Sequence, residues 1–171
     1  MRERLEDYHE KDIAEVLPAL TSAERKKLYR ILEPDMLSNI LERVEGAEAN
    51  TYLIEMDLRK AAQAVEHMES DSALEILSQT EGTYRAAVLG DMFELGELGP
   101  ELHRSMGEWA ASLGNIDGLL AVGDLAWNIY DAARENGMEG VFYAKDRATA
   151  KALLPNFIRP GGVILVKASR G

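Results

Sequence analysis

The chain has 171 residues, 46% of them hydrophobic and 29% charged, with a formal net charge of −11 and no cysteine. That length suits one domain of ordinary size or two small ones, and the mixture is that of a globular chain rather than a disordered one. The acidity argues against nucleic-acid and anionic-membrane partners, and the missing thiols exclude disulfides, a thiolate nucleophile and a cysteine-based zinc site.

The acidity is uneven: residues 1–80 hold 10 Lys/Arg against 18 Asp/Glu, residues 81–171 hold 9 against 12. Met1-Arg2-Glu3-Arg4 opens on charge rather than on an apolar leader, and no apolar run approaches the roughly 18 residues of a membrane span. The expectation is a soluble, cytoplasmic chain. No feature of the pattern sets an oligomeric state.

From His9 to Thr80 the sequence repeats. A shift of 24 residues superposes Ile13/Leu37/Ala61, Leu17/Leu41/Val65, Leu20/Val44/Met68 and Leu28/Tyr52/Ile76. Inside each unit the apolar residues recur at three and four, the stripe of a helix with one buried face, so each unit is expected to be a short helix pair. Thr21 with Glu24 forms a capping box, Pro34 suits a first helical turn, and Asp57 and Ser70 are expected N-caps. Pairs this small bury their stripes only by stacking, and the last unit needs a cover. The carboxylates fall mostly on the face opposite the leucines, a solvated face rather than a metal site. Met36, Met56 and Met68 fall near the apolar stripe as gap fillers.

"HEKDIAEVLPALTSAERKKLYRIL", through His9, Asp12, Ala14, Leu17, Leu20, Glu24, Arg25, Leu28 and Leu32, resembles the opening of the cytosolic N-terminal domain of the MgtE magnesium transporters. The likeness covers about residues 1–78 and implies a superhelix of short helices. It departs at Glu10, where the family commonly has proline, and lacks the family's CBS modules and membrane pore. Transport by this chain alone is therefore excluded.

Beyond Thr83 the period changes. "RAAVLGDM", "GLLAVG", "GVFYA" and "GGVILVKA" are short apolar runs bounded by glycine, alternating with helical patterns at Pro100–Leu113, Leu125–Asn136 and Arg147–Ile158. That alternation predicts a parallel sheet covered by helices, with ligand-facing loops at the carboxyl ends of the strands. Gly90-Asp91, Gly123-Asp124 and Lys167-Ala168-Ser169-Arg170 sit at such ends. Trp109 and Trp127 are expected in the core.

"AVLGDMFELGELGPELHRSMGEWAASLG", "LLAVGDLA" and "GGVILVKASRG" resemble, in order, the C-terminal domain of the MurF ligases, the ATP-dependent enzymes that add D-alanyl-D-alanine to UDP-MurNAc-tripeptide. This likeness covers about residues 72–171. The family's phosphate loop, ending in Gly-Lys-Ser/Thr, has no counterpart here, nor has its nucleotide-contacting Asp-x-Tyr-Asn-Ala-Asn-Pro segment. "DSALEILSQTEG" matches only the helix that follows that segment.

The fold class expected is thus α plus α/β: a right-handed superhelix over 1–78, a shared junction helix at 70–82, and a small Rossmann-like parallel-sheet domain over 83–171 that caps the array. Both ends read as engineered boundaries, which implies a designed chimera with a structural role and no catalytic residue. It would need no cofactor, although the parents use ATP and Mg2+. Two alternatives stand beside it. One is weak affinity for nucleotide or UDP-MurNAc-peptide through vestigial residues Gly90, Asp91, His103, Lys167, Ser169 and Arg170; the other is a magnesium-responsive acidic superhelix. For Gly90-Asp91 the competing role is turn and cap chemistry. His103 lacks a partner for acid–base work and reads as an orienting helix residue. Lys167, Ser169 and Arg170 form the best anion site in the sequence but lie at its end.

Overall fold

The computed structural model describes residues 9–81 and 84–168, and the chain divides after Ser72 into two compact units. Among the described residues there are nine α-helices and four strands.

The first unit shows the 24-residue repeat directly. α1 (Glu10–Val16), α3 (Pro34–Leu41) and α5 (Leu58–His67) begin at equal intervals, and so do α2 (Ser22–Ile31), α4 (Gly46–Glu55) and α6 (Ser70–Gln79). The local signals act as expected at three starts. Thr21 Oγ1 accepts from Glu24 N–H while Glu24 Oε2 accepts from Thr21 N–H at 2.9 Å, Pro34 opens α3, and Asp57 Oδ1 accepts from Lys60 N–H at 3.0 Å. Ser70 departs from expectation: it is the first residue of α6 rather than the cap before it, a one-residue difference of the kind helix ends commonly show. Leu17, Leu37, Leu41, Ala64 and Met68 are buried, with α3 packed against both α1 and α5. Met56 is buried too, and Met36 is half-buried.

The division between units falls inside α6, which is a single helix from Ser70 to Gln79. In the second unit β1 (Arg85–Gly90), α7 (Gly99–Ser112), β2 (Gly118–Val122), α8 (Trp127–Glu135), β3 (Val141–Ala144), α9 (Arg147–Phe157) and β4 (Val163–Lys167) follow in turn. The four strands form one parallel sheet in the order β3-β2-β1-β4. The chain steps outward from β1 through β2 to β3, then crosses back to place β4 on the far side of β1.

That reversal puts helices on both faces. Ala86, Leu120 and Ala144 point to one face and pack with Ala150 and Phe157 of α9. Residues of opposite parity meet α8, as where Trp127 stands edge-on to Tyr143 with ring centroids 5.0 Å apart. α7 lies against α8 at Gly107, where an added Cβ would overlap the carbonyl oxygen of Ile129. Two expectations fail here. Trp109 and Trp127 are 41% and 46% exposed rather than core residues: the buried face of α7 is lined by Gly99, His103, Gly107 and Ala110 and excludes Trp109, and Trp127, at the start of α8, packs one side only, against Tyr130 and Tyr143. At Gly107 the two helices are too close for any side chain, let alone an indole.

Candidate functional site

All four strands of a parallel sheet send their carboxyl ends to one edge, and the direction reversal between β1 and β4 opens a crevice there. The structure has a cavity of about 520 Å³ at this place, walled by Gly90 at the end of β1 and Asp91 after it, Gly123 after β2, Lys145 and Asp146 after β3, and Lys167 and Ala168 at the end of β4. Val88, Val122, Leu154 and Val166 give it an apolar floor, and α9 contributes Arg147 and Lys151.

Gly90 is required by the sheet itself. A Cβ there would lie 2.6 Å from Ala168 Cβ, so only glycine lets the ends of β1 and β4 close together. Asp91 is a cap that reaches across the chain. Its Oδ1 accepts from Ala126 N–H at 2.8 Å and its Oδ2 from Asp124 N–H at 3.1 Å, holding the turn that leads into α8. Gly123, at φ 127°, passes beneath this carboxylate where any side chain would collide with it. The turn also moves the start of α8 to Trp127, two residues after the expected Leu125.

His103 is fully buried and does not line the cavity. Its Nε2 accepts from Met92 N–H at 2.9 Å, which places the ring proton on Nδ1, where it meets Gly99 O at 2.6 Å. Both nitrogens are therefore spent on pinning the β1–α7 loop to its own helix. Of the residues singled out in the sequence, Gly90, Asp91 and Lys167 come together at the cavity and His103 does not. Ser169 and Arg170 lie outside the described residues.

The cavity's charge comes largely from residues the sequence reading passed over: Lys145, Arg147 and Lys151 join Lys167. The signal was present in "AKDRATAK", three cations directly after a strand end, at the start of a helix. Asp146 is the N-cap of α9: its Oδ1 accepts from Thr149 N–H at 2.8 Å, a bond that holds its carboxyl below the ordinary range and keeps it charged, so one carboxylate stands among these cations. Lys145 Nζ is 4.0 Å from Asp124 Oδ1 across open solvent. Four cations and two capping carboxylates thus line a site in a chain whose net charge is −11. Carboxylates and phosphates are the ligand groups whose charge complements such a wall. Among the described residues no histidine, serine, cysteine or tyrosine lines it, and its two carboxylates, Asp91 and Asp146, accept from backbone N–H groups as caps. Among the described residues no group of three His, Asp or Glu is placed to hold a metal ion, and no helix is long and apolar enough to cross a membrane.

These features define a class: an α-helical repeat joined to a parallel α/β domain with a cationic strand-end cavity. The chain belongs to two families, matching the MgtE intracellular N domain over residues 8–94 and the Mur ligase glutamate ligase domain over residues 68–170. It is 37% identical over 98 residues to the UDP-N-acetylmuramoyl-tripeptide--D-alanyl-D-alanine ligase of Synechocystis, covering 57% of this chain and 21% of that enzyme. Two crystal structures of MurF from Acinetobacter baumannii are similar at 25% and 27% identity, with TM-scores of 0.49 and 0.47. They cover 56% and 57% of this chain and 21% of each MurF chain. The chain therefore spans about a fifth of the length of the ligases it matches.

Proposed function

We propose that these 171 residues are an engineered, cytoplasmic fusion with a structural role, in which a magnesium-transporter sensor domain and a Mur ligase C-terminal domain share α6 and catalyse nothing by themselves. One observation carries the reading. Both family matches include residues 68–94, and the helix inside that overlap, α6, is the second helix of the third 24-residue repeat and also the element that leads to β1. A single helix serving two parents is what a fusion by superposed helices produces. The sequence supports the non-catalytic part, since no Gly-Lys-Ser/Thr phosphate loop occurs in it.

The four cavity cations favour a second reading, residual affinity for an anionic ligand such as a nucleotide or a UDP-MurNAc-peptide. The two readings separate in one set of measurements. Phosphate release from ATP, with and without UDP-MurNAc-tripeptide and D-alanyl-D-alanine, is expected to stay at the buffer rate; turnover above it would end the structural reading. Titration calorimetry with ATP and with the UDP-peptide then reads the cavity. Heat that disappears in Arg147→Ala and Lys151→Ala assigns binding to it, and no heat leaves the fusion purely structural.

A further inference from the structure

The sheet order leaves β3 at one edge. Its bonds to β2 fix how its backbone points. Leu119 N–H donates to Gly140 O at 2.9 Å and Gly123 N–H to Ala144 O at 3.0 Å, so the intervening Val141 and Tyr143 turn their peptide groups away from the sheet. The Val141 N–H folds back onto Glu139 O at 2.9 Å, whereas Tyr143 keeps the outward direction.

Natural edge strands carry charge, proline or a covering segment that prevents pairing with another chain. β3 reads Val-Phe-Tyr-Ala and has neither a charge nor a proline. Phe142 is 41% exposed on one face, and on the other Tyr143 borders the exposed Trp127. Charge is placed at the two ends instead. Exposed Glu139 stands at the amino end, and exposed Lys145 and Arg147 at the carboxyl end, where Asp146 caps its own helix and Asp124 lies 4.0 Å from Lys145 across solvent.

A parallel copy laid along this edge would set like charges together; an antiparallel copy sets each acidic end against a basic one, twice by symmetry. We propose that β3 is a self-association surface, pairing antiparallel with β3 of a second copy across a two-fold axis, with Glu139 facing the partner's Lys145 at both ends. The overall charge of −11 opposes the encounter. At physiological salt the Debye length is about 8 Å, so the distant carboxylates are screened while the paired ends are not. A four-residue strand and its flanking rings supply less than the roughly 800 Å² per partner of a standard interface, which makes the dimer weak, populated at tens of micromolar and above.

Sedimentation velocity on the full chain, from about 5 to 500 µM, tests this at low, physiological and high salt. The expected result is a concentration-dependent shift from monomer to dimer at physiological salt, weaker at low salt, where the repulsion between the acidic chains is unscreened, and weaker again at high salt, where the end pairs are screened too. Lys145→Glu and Glu139→Lys each place like charges together at two points, and each should weaken the dimer about tenfold or more. The double variant Glu139→Lys/Lys145→Glu should restore it to within about threefold, since the same pairs re-form with signs exchanged. Both side chains are exposed, and unchanged melting curves verify that the fold is intact. A monomer at every concentration overturns the proposal. So does a dimer indifferent to the single reversals, or one that the double variant fails to restore.

Discussion

Glu55, on α4, accepts from Arg25 Nε at 2.9 Å and Nη2 at 2.6 Å, and from the Tyr29 hydroxyl at 3.1 Å. Arg25 also donates to the carbonyl of Leu20 and lies over the Tyr52 ring, and both charged side chains are only 13% exposed. The bonded guanidinium holds the Glu55 carboxyl at about 2, from an ordinary 4.5, and burial pushes the Tyr29 hydroxyl up. A depressed carboxylate stabilises the fold fully above its unfolded value of 4.5, and the contribution is lost as pH falls through about 2. At face value the shift is worth roughly 3 kcal/mol; solvent reaching the open side of the pair lowers that to about 2 kcal/mol. Glu55→Gln keeps the shape, removes the charge and leaves Arg25 without its counter-ion. Urea unfolding followed by far-UV circular dichroism should show the variant about 2 kcal/mol less stable at pH 7. Near pH 2 the gap should close to about 0.5 kcal/mol, because the native carboxylate is then half protonated. Taking the difference between the two proteins cancels the titration of the other carboxylates. Equal stability at pH 7, or a gap that persists unchanged at pH 2, would refute the assignment.

His103→Leu strands the Met92 N–H and removes the second bond of the Gly99 carbonyl, which keeps its helical partner, at a cost of about 1–3 kcal/mol in urea unfolding, and it should speed hydrogen exchange at the Met92 amide. Gly107→Ala drives a methyl group into the Ile129 carbonyl at the contact of α7 with α8, and should cost about 1–3 kcal/mol, seen as a lowered melting temperature. The neighbouring exposed Ser105→Ala should leave that temperature unchanged within error.

The helical repeat was legible because its signals are local. A stripe at three and four, a capping box at Thr21 and a proline at position 34 act within a turn or two of themselves, and the 24-residue shift only copies them. The strands were legible for the same reason, as apolar runs closed by glycine. The candidate site was legible only in part. Gly90 and Asp91 could be placed at a strand end, but the choice of Asp91 as a cap depends on Asp124 and Ala126, more than thirty residues away. Lys145, Arg147 and Lys151 read as ordinary surface charge until β3 and α9 bring them beside Lys167. The two tryptophans were misplaced because helical spacing shows that a residue shares a face with its neighbours, not what that face meets.

The sequence by itself determined the elements, their periods and their order, since each is set by residues within reach of one another along the chain. Only the tertiary structure decided which strand lies beside β1, which carboxylates are consumed as caps, that His103 spends both nitrogens on backbone, and that an apolar edge strand ends in opposite charges. Those outcomes depend on pairs far apart in sequence, such as Arg25 with Glu55 or Asp91 with Ala126, whose meeting is selected by how whole faces pack.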